Sequence, residues 1–130
     1  MENHSNINNQ FIPYELALEL KELGFNEECF GWYSPVMNGL LIYCNSTNDG
    51  TEEKYCTAPL WQQAFRFFRE KYGLHYIICK NIQMDGYGYR EVILIPYMEE
   101  NENTIFKTYE EAEVECLVKL IEIAKEQNVK

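Results

Sequence analysis

Histidine is nearly absent from this sequence. His4 and His75 are the only two, and neither sits in a cluster with ligand spacing, which argues against a structural zinc site. Cysteine occurs five times, at 29, 44, 56, 79 and 116, an odd number with no C-x-x-C pair. That is the usage of reduced thiols rather than a disulfide framework. No run of about 18 apolar residues is present, so no span of a membrane is expected. The opening M-E-N-H-S-N-I-N-N-Q lacks the basic-then-apolar order of a secretory leader, and the expected location is cytoplasmic. Phosphate-cradling loops are missing too, with no G-x-x-x-x-G-K-[ST] and no G-x-G-x-x-G after a strand. The two glycines of G-Y-G-Y, residues 86–89, lie in a hairpin whose turn accounts for the first. Basic residues are scarce: 11 against 21 acidic, a formal net charge of −10. Such a body repels an extended polyanion, so direct nucleic-acid binding is not expected.

What the chain does have is aromatic side chains, 15% of its 130 residues, enough for one domain with a packed core. Residues 1–10 are polar and Asn-rich and read as a tail, 11–126 as a single α+β domain, and 127–130 as a frayed end. A first helix is expected from Pro13, with Leu16, Leu20 and Leu23 on one face, Gly24 ending it and Phe25 packing back on Leu20. The β-prone stretches 29–33 and 39–44 read as a hairpin, followed by a polar loop over 45–54. The stretch A-P-L-W-Q-Q-A-F-R-F-F-R-E-K-Y-G, residues 58–73, reads as a second helix capped by Thr57, with Trp61, Phe65, Phe68 and Tyr72 on one face.

Residues 75–84 and 87–97 read as a second hairpin about a two-residue Asp85-Gly86 turn. That register sets Met84 opposite Tyr87, Lys80 opposite Glu91, Asn81 opposite Arg90 and Ile78 opposite Ile93. T-Y-E-E at 108–111 has the capping-box pattern that opens a last helix. On that helix Val114, Val118 and Ile121 form a second apolar stripe, read as a homo-oligomer contact. The expected order is αββαββα, an antiparallel sheet of about four strands with helices packed on it.

Residues 61–90 hold five basic and two acidic groups, a net of +3, while the rest of the chain carries 6 basic and 19 acidic groups, a net of −13. A small anion feels mainly its nearest charges, because screening acts over about 8 Å at physiological salt. Arg66 and Arg69 on the aromatic helix are the leading candidates for holding such an anion, a nucleotide among the possibilities. Arg90 and Asn81 add donors, and Trp32, Tyr33 and Tyr89 offer stacking faces for a base. The bland alternative pairs the arginines with surface acids. No catalytic constellation is found. His75 and Cys79 lie about 13 Å apart along one strand face, and the Glu pairs fall in loops or near helix ends. No cofactor is expected.

Three segments carry a resemblance: I-P-Y-E-L-A-L-E-L-K-E-L-G-F, A-P-L-W-Q-Q-A-F-R-F-F-R-E-K-Y-G-L and T-Y-E-E-A-E-V-E-C-L-V-K-L-I-E-I-A. They resemble a group of small proteins widespread in bacteriophages and prophages of gut-type bacteria, over most of residues 11–126. No catalytic or binding residues are assigned in that group. The resemblance implies a phage accessory protein in the host cytoplasm, acting by binding. Two readings follow. One is a non-catalytic oligomer that sequesters a small anionic immune signal. The other is an acidic inhibitor that blocks a basic nucleic-acid-binding protein through the Glu-rich segments 99–102 and 110–115.

Overall fold

The computed structural model describes residues 7–36, 39–92 and 105–129. Three helices, α1 (Tyr14–Glu22), α2 (Trp61–Tyr72) and α3 (Tyr109–Val129), are interleaved with five strands. These are β1 (Cys29–Ser34), β2 (Gly39–Ser46), β3 (Cys56–Ala58), β4 (Tyr76–Asn81) and β5 (Gly86–Glu91). The class is α+β, and the order is the expected one with the short β3 added before α2. The strands fall into a three-stranded sheet ordered β2-β1-β3 and a two-stranded β4-β5 sheet, all pairs antiparallel. Where the sequence reads as one domain, the chain divides into two compact units, Met1–Phe67 and Phe68–Lys130.

In the first unit, the residues expected as a tail include a 3-10 turn, Ile7–Gln10, and Phe11 then bridges to Leu60. Pro13 stands at the N-cap of α1, one position before its expected place. The helix ends as the sequence suggests. Gly24 takes φ 100°, Phe25 N–H reaches Leu20 O at 2.9 Å, and Gly24 N–H reaches Lys21 O at 3.0 Å. These two bonds form a Schellman cap, and the buried Phe25 and Leu20 are its apolar pair.

Thr57 does not cap α2. It lies in β3, fully buried and paired with Trp32. Pro59 holds the preceding residue extended, which favours strand up to Ala58 and delays the helix to Trp61. The cap is supplied by Gln63 instead, whose Oε1 accepts the Leu60 N–H at 2.9 Å while its Nε2 donates to Glu28 O.

The polar loop expected over 45–54 spans 47–55, between β2 and β3, and is pinned at several points. Asn48 Nδ2 donates to Phe25 O at 2.8 Å and its Oδ1 accepts the Thr57 N–H at 2.9 Å. Lys21 Nζ donates to the carbonyls of Glu52 and Tyr55, and the Tyr14 hydroxyl donates to that of Lys54.

In the second unit the hairpin register differs from expectation. Asn81 pairs with Gly86, Ile77 with Arg90, Ile78 with Tyr89 and Lys80 with Tyr87. The turn spans four residues, 82–85, because Asn81 Oδ1 captures the Met84 N–H at 2.8 Å and closes the turn early. Only Asp85 takes a positive φ, 54°, whereas a two-residue I′ turn needs two such residues. The slip is even in number, so each side chain stays on the face that the expected register would give it, with Tyr76, Ile78 and Tyr89 on one side. Ile93 and Ile95 lie outside the described residues. The Thr108 hydroxyl caps α3 by accepting the Glu111 N–H, and the Glu111 carboxylate reaches back to the Lys107 N–H. The helix continues to Val129, through residues expected to fray.

Gly86 serves close approach rather than the turn. A methyl group there would collide with the Ile105 side chain and stand 2.7 Å from Phe106 O. Phe106 and Tyr87 exchange two backbone hydrogen bonds at that point, of 2.7 and 2.8 Å. Gly86→Ala is therefore expected to destabilise the protein by about 1–3 kcal/mol, read from urea denaturation. Asn48→Ala strands a buried donor and an acceptor and is expected to cost about 2 kcal/mol. Asn48→Asp keeps the bond from Thr57 and should cost less in the same assay.

Candidate functional site

The residues expected to hold an anion are divided between the units. Trp32, Tyr33 and Arg66 belong to the first; Arg69, Asn81, Tyr89 and Arg90 belong to the second. Arg66 and Arg69 both lie on α2 with exposed side chains. Arg66 is engaged by Glu27, whose carboxylate lies 2.9 Å from its guanidinium, as in the bland reading.

Trp32 packs against Tyr55 with ring centroids 5.4 Å apart. Tyr33 meets Tyr14 edge-on, and its hydroxyl donates to Ile12 O at 2.6 Å. Burial, with a lesser contribution from nearby Cys56, pushes the Tyr33 phenol up to about 12. A cleft of about 280 Å³ is lined by Tyr14, Tyr33, Ser34, Pro35 and Gly39.

In the second unit Asn81 is spent on its turn, and it does not face Arg90 across the hairpin. Tyr89 points to the opposite side of the sheet from both, stacking on Phe106 at 6.4 Å and tilting against Tyr76 at 6.1 Å. The stacking faces assigned to a base are thus occupied by the protein's own rings. Of the stripe read as an oligomer contact, Val114 and Val118 are half-buried, but Ile121 is only 4% exposed and belongs to the core of the chain. Ile121 turns inward with Leu117 and Leu120, so the buried side of α3 takes in one member of the stripe expected at an oligomer contact.

Two of the buried cysteines are held in the thiol form by their surroundings. Burial raises the Cys56 thiol to about 11, with smaller opposing effects from Lys21 and Cys29. Burial, reinforced by Glu113, raises Cys116 to about 12. Among the described residues, no group of His, Cys, Asp and Glu side chains is arranged to hold a metal ion. No described helix is long and apolar enough to cross a membrane.

The feature that does assemble is acidic. Along α3, Glu111, Glu115, Glu122 and Glu126 are all exposed, on the side away from the buried Ala112, Cys116, Leu120 and Ala124. At 100° per residue they fall within an arc of about 60° and extend for about 22 Å. The expected acidic segment 110–115 is the start of this row. The other, 99–102, lies outside the described residues. The spacing 111, 115, 122, 126 was available in the sequence as a solvated helix face. No family model, curated protein or solved structure matches the chain.

Glu113 stands apart from that row, half-buried on α3. Desolvation, and then repulsion from Glu110, raises it from 4.5 to about 7. A carboxyl whose pKa is higher in the folded than in the unfolded chain favours folding while protonated. That contribution is complete below about 4.5 and is lost as the pH rises towards about 7. Glu113→Gln should therefore melt a few degrees above wild type at pH 8 and no higher than wild type at pH 4. Thermal unfolding followed by circular dichroism at both pH values checks this.

Proposed function

We propose that this chain is a non-catalytic accessory protein of phage type whose acidic surface docks on a basic nucleic-acid-binding partner and competes with nucleic acid for it. The observation that carries this reading is the exposed row of Glu111, Glu115, Glu122 and Glu126 on α3. Within the pairs Glu111/Glu115 and Glu122/Glu126 the carboxylates stand about 6 Å apart along the axis, comparable to successive phosphates, with about 10 Å between the pairs, on an element too rigid to collapse around its own charge. With a net charge of −10, the whole chain adds to the attraction and steers encounter. The resemblance of its helical segments to phage and prophage proteins supplies the setting, with a host defence protein as the partner.

The small-anion reading is less well supported. A phosphate at Arg66 has to displace Glu27, and the rings that would hold a base already pack against one another.

The test is displacement of a fluorescent DNA duplex from a basic, sequence-nonspecific DNA-binding protein. Wild type is expected to release the duplex at low salt, with release weakening steeply as salt rises. Glu115→Lys, Glu122→Lys and Glu126→Lys together should weaken release by about tenfold or more while leaving the Glu111 cap of α3 in place. Release that survives in the triple variant, or that ignores salt, counts against the proposal.

A further inference from the structure

Among the described residues the β4 strand is paired along one edge. Val92 N–H donates to His75 O at 2.7 Å, which fixes the phase of the β4-β5 ladder. In that phase Ile77, Cys79 and Asn81 turn their backbone groups toward β5, and Tyr76, Ile78 and Lys80 turn theirs outward. The same phase on β5 points Tyr87 outward, where it exchanges both of its bonds with Phe106. So β5 is covered on its far side at Tyr87. Among the described residues β4 pairs with β5 alone. Three N–H groups and three carbonyls of β4 are left facing away from the sheet. What satisfies such a row is another extended strand.

We infer that the occupant is β4 of a second copy, paired antiparallel about a two-fold axis through Ile78. The sequence Y-I-I-C-K-N suits this register. Ile78 meets Ile78 of the second copy, and Tyr76 meets Lys80 in each direction, so the three outward residues all become hydrogen-bonded pairs. Six backbone bonds form. Lys80, whose ammonium already lies 5.0 Å from the Tyr87 ring, then also flanks Tyr76 of the second copy, next to Glu91, which is paired with that tyrosine. An edge lysine ordinarily discourages pairing. Here it meets an aromatic ring and a carboxylate. On the opposite side of the sheet Ile77, 39% exposed, comes to lie over Cys79 of the second copy and loses its contact with water.

Charge favours this place over others. Two chains of net charge −10 repel each other across most of their surfaces. The β4-β5 hairpin itself carries Lys80 and Arg90 against Asp85 and Glu91, a net of zero, so that repulsion is small there. A contact of one strand buries little area, so the dimer is weak and concentration-dependent.

Lys80→Pro is the decisive variant. The proline removes an outward N–H that β5 does not use and replaces an exposed side chain, so the chain itself stays folded. Sedimentation equilibrium is expected to show a wild-type dimer whose dissociation constant rises by about tenfold or more in the variant. Amide exchange at Tyr76, Ile78 and Lys80 should slow as wild-type concentration rises. Added salt should strengthen the dimer by screening like charges, opposite to its effect on docking with a basic partner. A wild-type chain that stays monomeric overturns the inference. So does a dimer that Lys80→Pro leaves intact with exchange at those three amides independent of concentration. Circular dichroism of the variant confirms that lost association is not lost folding.

Discussion

A single carboxamide, that of Asn48, joins three segments of the first unit. Its donor end takes the carbonyl of Phe25, just past the Schellman turn of α1, and its acceptor end takes the N–H of Thr57 in β3. A strand of three residues contributes few ladder bonds of its own, so β3 depends on what holds its approach. Lys21 and Tyr14 hold the same loop from α1 by reaching backbone carbonyls rather than side chains. Such bonds depend on where the backbone runs and tolerate variation in the loop's own side chains. Asp49, Glu52, Glu53 and Lys54 are accordingly free to face solvent.

Charge in this protein follows the same division between backbone and surface. On α3 most carboxylates, costly to bury, are kept on the outer side, and the one of that helix that is half-buried, Glu113, has its ionised form disfavoured. A helix whose inner side is filled by Ala112, Cys116, Leu117, Leu120 and Ile121 has little freedom to rotate. Its outer row of glutamates is therefore held in a set direction. That fixed direction distinguishes the row from a flexible acidic tail, and the proposed docking depends on it.

The helices were legible because their signals are local. Gly24 with Phe25 and Thr108 with Glu111 act within a few residues of one another, and the structure uses each of these pairs. The second hairpin was legible in its faces but not in its register. Asp85-Gly86 is a strong turn signal, yet the positive φ falls on Asp85 alone because Asn81 closes the turn earlier and Gly86 is required against Ile105. Nothing in the local sequence reports a contact made nineteen residues away. β3 was missed for a related reason: three residues ahead of a proline show no alternation, and β1 and Asn48 supply what they lack. The candidate site was read from charge and aromatic content, which count residues without locating them. Glu27 next to Arg66, and Phe106 across Tyr89, are tertiary partners that composition does not reveal.

Both tryptophans lie in the first unit. Trp32 packs on Tyr55, while Trp61 stacks near Phe65 and donates its indole N–H to Asn9 O at 3.2 Å. No tryptophan follows Phe67. The second unit has rings that absorb in the near ultraviolet, among them Tyr76, Tyr87, Tyr89 and Tyr109, but no indole. The molecule thus carries an optical label on one unit without any chemical modification. Indole emission reports on the surroundings of Trp32 and Trp61, whereas tyrosine ellipticity comes from both units, from Tyr14, Tyr33 and Tyr55 in the first as well as Tyr76 and Tyr89 in the second, so the indole is the signal that belongs to one unit.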